Sequence, residues 1–190
     1  MKRLVIKKDD LLKNIDIVKN KAGNCEIIGV LKGNGYGLGI IELAKILSEN
    51  GIGFFAVTEP EDIKKLRDNG FTDEKILLLR STAIPDEAEA IADNHAVATI
   101  GSYEAAVLLN GVAKAKNIKA EAHIEIDTGM GRYGFLPAET EKILSIYKFM
   151  DNISVTGIYT HFPLAFANKN ATLKQCDVLK GICADIKNAG

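Results

Sequence analysis

Ile27-Ile28-Gly29-Val30-Leu31 runs directly into Lys32-Gly33-Asn34-Gly35-Tyr36-Gly37. An apolar run with three β-branched residues reads as a buried strand, and the glycines after it read as a turn. A lysine at that boundary is held at the mouth of whatever the strand builds, its stem against apolar surface and its amine partly desolvated. An amine able to react with a carbonyl belongs in such a place. A lysine snorkelling to water at a strand end has the same local sequence, so the rest of the chain has to decide.

Working outward, short apolar strands alternate with amphipathic helices at intervals of roughly 20–27 residues. Strands are predicted near 26–31, 53–58, 76–80, 96–100, 122–127 and 153–159, and helices near 37–50, 60–69, 86–93, 102–115, 137–149 and 172–188. Ser102 and Thr172 are the predicted N-caps of their helices. Six consecutive βα units imply an α/β protein with a parallel sheet and helices outside it. Two closures compete, a doubly wound open sheet and a (β/α)8 TIM-type barrel. Gly33, Gly35, Gly37 and Gly39 lack the GxGxxG spacing, and no GxxxxGK[ST] loop occurs. The barrel is therefore the expectation. Eight units are required and about six are visible, so it is expected to be incomplete over 1–190.

Composition limits the partners. The formal net charge is −1 over 190 residues, which gives no attraction to nucleic acid or to an anionic membrane. Aromatic residues are only 6% and tryptophan is absent, so base-stacking surfaces are not expected. No stretch has the length and apolarity of a membrane span, and Met1–Asp10 is too short in its apolar run for a signal peptide, so the cytoplasm is expected. Cys25, Cys176 and Cys183 form no CxxC or zinc spacing, and no metal site is expected. Cys176 and Cys183 lie seven residues apart on a predicted helix, about 10 Å of rise, too far for a disulfide. Both read as small buried apolar residues.

Three polar clusters fall on predicted strand ends, where a barrel keeps its chemistry. The first is Lys32 with Tyr36. The second is Asp127-Thr128-Gly129-Met130-Gly131-Arg132-Tyr133-Gly134, in which glycines allow close backbone approach and the Arg132 fork suits a carboxylate or phenolate. The third is Gly157-Ile158-Tyr159-Thr160-His161-Phe162. Together they resemble the KANAYGHG, DTGMxRxG and GxxTHF strings of the alanine racemase family of pyridoxal 5'-phosphate (PLP) enzymes, in the right order from about residue 26 to 163.

The resemblance implies a role for each matching residue. Lys32 would hold PLP covalently and serve as one of two proton-transfer bases at the substrate α-carbon. Tyr36 would hydrogen-bond the phosphate. Arg132 would contact the phenolic oxygen of the ring and help bind the substrate carboxylate, and His161 would lie beside the pyridine ring. The implied reaction is racemisation of a small amino acid, L-alanine to D-alanine foremost with serine open, as a source of D-amino acid for cell-wall synthesis. Family members continue into two further βα units and a β-rich domain, whose tyrosine is the second base and enters from the neighbouring subunit of a homodimer. Residues 1–190 alone would therefore be the PLP-binding barrel portion, without that β domain and not a competent racemase. The opening Arg3-Leu4-Val5-Ile6 would be a strand pairing with the β domain.

The sequence departs from the family strings in three places. Leu38 stands where a histidine often follows Tyr-Gly, and Pro163-Leu164-Ala165-Phe166-Ala167 replaces the small polar run after His161-Phe162. Glu125 stands where many relatives carry a lysine. Strand alternation puts His123, Glu125 and Asp127 on one face, and Glu125 is expected to supply a negative charge that orients Arg132. A rival from another class is a non-catalytic single-domain barrel that binds or buffers PLP. A decarboxylase sharing the barrel is a second. Deuterium uptake at the α-carbon of L-alanine or L-serine separates the racemase from the PLP-buffering barrel.

Overall fold

The computed structural model of the protein describes residues 5–189. All six predicted strands form, in one parallel sheet ordered β1-β2-β3-β4-β5-β6. Strand order that follows chain order is the progression of a barrel; a doubly wound sheet reverses direction at its switch point. The chain divides into two compact units, Met1–Leu77 and Leu78–Gly190, and β3 (Lys75–Ser81) spans the division.

The first unit opens with α1 (Lys8–Ala22), a helix not predicted from the sequence. Asp9 and Asp10 in its first turn and Lys19 and Lys21 in its last complement the helix dipole. Its inward face is small, with Ile15 buried and Leu11 half-buried one turn before it. Arg3 and Leu4 of the expected opening strand lie outside the described residues, and Val5 and Ile6 are exposed and in no strand. β1 (Ile28–Val30) pairs in parallel with β2 (Phe54–Val57), with Gly29 opposite Phe55. A short helical turn, α2 (Lys32–Tyr36), separates β1 from α3 (Ile40–Glu49). Ile40, Ala44 and Leu47 recur at helical spacing along α3 and are its buried residues. After β2, α4 (Pro60–Asp68) begins with proline at its first turn, where the missing N–H costs nothing. It buries Ile63 and Leu66 completely, about 1.5–3 kcal/mol each. Phe55 and Phe71 meet edge to face at 5.8 Å.

In the second unit, α5 (Pro85–Asp93), β4 (Val97–Ile100), α6 (Tyr103–Ala115), β5 (Ala120–Glu125), a 3-10 turn at Pro137–Glu139, α7 (Thr140–Phe149), β6 (Ile153–Tyr159) and α8 (Lys169–Asn188) follow in order. Ser102 caps α6 as predicted, its hydroxyl accepting from the Ala105 N–H at 3.2 Å. Thr172 does not cap α8. Asn168 does, accepting from the Ala171 N–H at 3.0 Å, and Thr172 lies within the first turn with its hydroxyl on the Asn168 carbonyl. An Asx side chain reaches the free amides of a first turn readily, which moved the start three residues upstream. Cys176 and Cys183 are half-buried and free, not fully buried as the sequence suggested.

β4 and β5 pair Ala98 with Ala122, Thr99 with His123 and Ile100 with Ile124. β5 and β6 pair Ala122 with Val155 but His123 with Gly157, so Thr156 is an extra residue in a bulge. Past the bulge, Glu125 lies opposite Tyr159. Ala98, Ala122, Ile124 and Ile100 form a buried apolar face of this part of the sheet. Thr99, Glu125 and Tyr159 share the opposite face.

Candidate active site

In the first unit, buried Leu31 fixes the exit of β1, its N–H donating to the Ala56 carbonyl at 2.8 Å. The next residue, Lys32, is exposed, so its amine is open to solvent and not half-covered as the sequence suggested. The chain then winds left-handed, with φ of 61° at Gly33, 53° at Asn34, 63° at Gly35, 54° at Tyr36 and 83° at Gly37. A left-handed turn costs about 1–2 kcal/mol for each residue bearing a Cβ. Glycine at alternate positions removes that cost, leaving it on Asn34 and Tyr36. Asn34 offsets its share by accepting from the Ile40 N–H at 3.1 Å, which caps α3, while its carbonyl accepts from Gly39 at 3.0 Å. Tyr36 has no such side-chain hydrogen bond among the described residues and is 64% exposed. A strained, exposed phenol one turn from an exposed lysine points to a ligand.

In the second unit, the loop after β5 is organised by Asp127. Its Oδ1 accepts from the N–H groups of Gly129 (2.9 Å), Met130 (2.8 Å) and Gly131 (3.1 Å), and its Oδ2 from that of Arg132 (3.1 Å). Burial pushes the Asp127 carboxyl up, but the four amide bonds outweigh it and hold the group below the ordinary carboxylate range. The loop closes on the strand through Phe135 N–H to the Glu125 carbonyl and Asp127 N–H to the Phe135 carbonyl, both 2.9 Å. Thr128, in the loop after β5, and Thr160, the residue following β6, join hydroxyls at 2.9 Å.

Arg132 projects from this loop, exposed, with its guanidinium 5.4 Å from the Tyr133 ring centroid. Arg132 and His161 line one small cavity with Glu125, Asp127, Tyr133 and Thr160. Glu125, 3% exposed, is raised above its usual pKa by burial, against the opposing pull of Arg132 and of a hydrogen bond with Tyr159. Tyr159 is itself bonded to the Thr99 hydroxyl at 3.0 Å, and burial pushes its phenol well up. Tyr159 and Thr99 were not among the residues anticipated as functional. Asp127, expected to share a face with Glu125, instead turns back on its own loop.

The structure thus gathers Lys32 with Tyr36 in the first unit and Arg132 with His161 in the second. In the first unit an exposed amine and phenol suit an aldehyde and a phosphate, and in the second an exposed guanidinium suits an anionic oxygen.

A family model described as "Alanine racemase, N-terminal domain" matches residues 6–190. An alanine racemase of Clostridium tetani is 37% identical over 186 residues, 96% of this chain and 47% of its own length. One from Clostridium perfringens strain SM101 is 39% identical over 156 residues, 81% of this chain and 40% of its own. A Clostridium difficile alanine racemase solved in complex with cycloserine superposes with a TM-score of 0.90 at 33% identity, over 96% of this chain and 50% of that one. The chain spans about half the length of the curated relatives it matches.

Proposed function

This chain belongs to the alanine racemase family, as its N-terminal barrel portion, and we propose that it holds the coenzyme in a PLP-dependent isomerase that racemises a small amino acid. When bound, PLP supplies an electron sink for a carbanion at the substrate α-carbon. The observation that carries the reading is the exposed Lys32 on its left-handed turn with Tyr36. Lys32 holds the coenzyme by its amine and moves a proton on one face of the α-carbon. Tyr36 donates to the phosphate. Arg132 holds an anionic oxygen of the ring or the substrate carboxylate, and His161 stands beside the ring. Racemisation needs a base on each face, and one lysine serves only one. By resemblance, the opposite face belongs to a tyrosine of the β domain, presented across a homodimer. Alanine is the favoured substrate because the relatives carry that name, and serine stays open. In this reading the enzyme works in the cytoplasm and supplies D-amino acid for cell-wall synthesis.

Borohydride reduction of the PLP-treated protein followed by peptide mapping tests the assignment. In the full-length enzyme the expected adduct is on Lys32, together with deuterium uptake at the α-carbon of L-alanine or L-serine in D2O. An adduct on any other lysine overturns it.

A further inference from the structure

α8 carries an inward apolar stripe in which Ile182 is buried and Leu179 and Ile186 are half-buried. One turn before Leu179, in the same stripe, stands Gln175, only 8% exposed. A leucine would fill that position with no polar group to satisfy. The glutamine instead brings an amide whose Nε2 is buried without a hydrogen-bond partner among the described residues. A buried donor left unpaired is costly, and one kept at a core position calls for a function.

Nε2 faces the loop after β5. A Cβ on Gly129 would lie 3.7 Å from it, so the missing side chain leaves the amide against the main chain of the loop. Gly129, with φ of +128°, and Gly131, with φ of +74°, let that main chain pivot. The N–H groups of residues 129–132 are all committed to Asp127. What the loop main chain can offer Gln175 is therefore its carbonyls, and the amide NH2 is a donor that suits them. The four N–H groups hang on one carboxylate, so residues 129–132 shift as a set. A contact made at Gly129 is felt at Arg132, and by reciprocity an anion held at Arg132 is felt at Gln175.

We propose that Gln175 is a positioning residue on α8, a donor held in reserve that takes a main-chain carbonyl of residues 129–131 when Arg132 holds a carboxylate. The proposal rests on the role that the PLP reading gives Arg132, but the coupling itself needs no coenzyme.

The test is amide hydrogen exchange of residues 129–132 in the coenzyme-free protein, with acetate as the carboxylate and chloride at equal ionic strength as the blank. Saturating acetate is expected to slow these amides about fivefold in the wild type, the worth of one neutral hydrogen bond. Gln175→Met keeps the length of the side chain and removes the donor. In that variant the slowing is expected to vanish, while exchange without acetate stays at the wild-type rate and the urea midpoint does not fall. Arg132→Ala should also lose the slowing; if it keeps it, acetate acts elsewhere and the coupling is overturned. An absent acetate effect in the wild type, or an equal one in Gln175→Met, overturns the proposal. So does faster exchange of Gln175→Met without acetate, which would make the amide an ordinary structural bond of the resting loop. If Gln175→Met does not fold, Gln175→Leu decides by the same criteria. A borohydride adduct away from Lys32 would sink the PLP reading and leave this result standing.

Discussion

Replacing Asp127 tests whether one carboxylate organises the loop that presents Arg132. Four N–H groups converge on it at 2.8–3.1 Å, three on Oδ1 and one on Oδ2. Once the loop opens each amide recovers water, so the net worth of each bond is about 0.5–1 kcal/mol and the set of four comes to about 2–4 kcal/mol. Asp127→Ala is therefore expected to speed hydrogen exchange of the amides of residues 129–132 roughly 30- to 900-fold. Asp127→Asn keeps an acceptor at Oδ1 but turns an NH2 toward the Arg132 N–H. Its effect should concentrate on that one amide, at about fivefold. The pH dependence has a definite sign. The closed loop holds the carboxyl below its usual 3.8, so the open form binds the proton more readily. Stabilisation is complete above 3.8 and disappears as pH falls through the lower, closed-state value. Exchange measured against pH, corrected for intrinsic rates, should show that loss in the wild type and not in Asp127→Asn. Indistinguishable exchange at 129–132 in the wild type and Asp127→Ala would refute the reasoning.

Two glycines make further predictions. Gly134 has φ of +106°, and a Cβ there would lie 2.8 Å from both the Asp127 nitrogen and the Glu125 carbonyl oxygen, backbone atoms that cannot step aside. Gly134→Ala should cost at least about 3 kcal/mol in urea unfolding, from forbidden backbone geometry and the broken Phe135–Glu125 closure; a midpoint within error of the wild type would contradict this. At Gly157 an added Cβ would lie 2.7–2.8 Å from the ring of His123. Gly157→Ala should destabilise by about 1–3 kcal/mol, and Gly157→Ala with His123→Ala should recover much of that loss in the same unfolding assay. No recovery would mean that the ring is not the obstacle.

The parts of this molecule legible in the sequence are those set by local pattern. Strands such as Phe54–Val57 and Val97–Ile100, four buried residues each, follow directly from short apolar runs bounded by turn residues. The helix Lys8–Ala22 was equally present, in Leu11 and Ile15 one turn apart with acids before and lysines after, but so small an apolar face is a weak periodic signal. The glycines after Lys32 announce a turn, yet its left hand depends on Asn34 and Tyr36 accepting a strained backbone, which composition does not reveal. Lys32, Tyr36, Arg132 and His161 were singled out because each lies in a string that resembles one of the family's. Tyr159 and Thr99 were not, although alternation alone could have put Thr99 on a polar face. Their contact is a matter of register between strands distant in sequence.

That register turns on one extra residue. By strict alternation Ile153, Val155, Gly157 and Tyr159 share a face, and Val155, paired with Ala122, lies on the apolar one. Tyr159 would then be buried among aliphatic side chains with its hydroxyl unanswered, and Glu125 would face Ile158. The bulge at Thr156 reverses the phase: Gly157 pairs with His123 and Tyr159 with Glu125, both on the polar face. Gly157 tolerates the change because it has no Cβ to meet the His123 ring. Thr156, displaced from the ladder, is tied down by its hydroxyl to Glu121 at 2.7 Å. A bulge of this kind re-aims a side chain next to a functional site, and here it is what brings a phenol to the carboxyl beside Arg132.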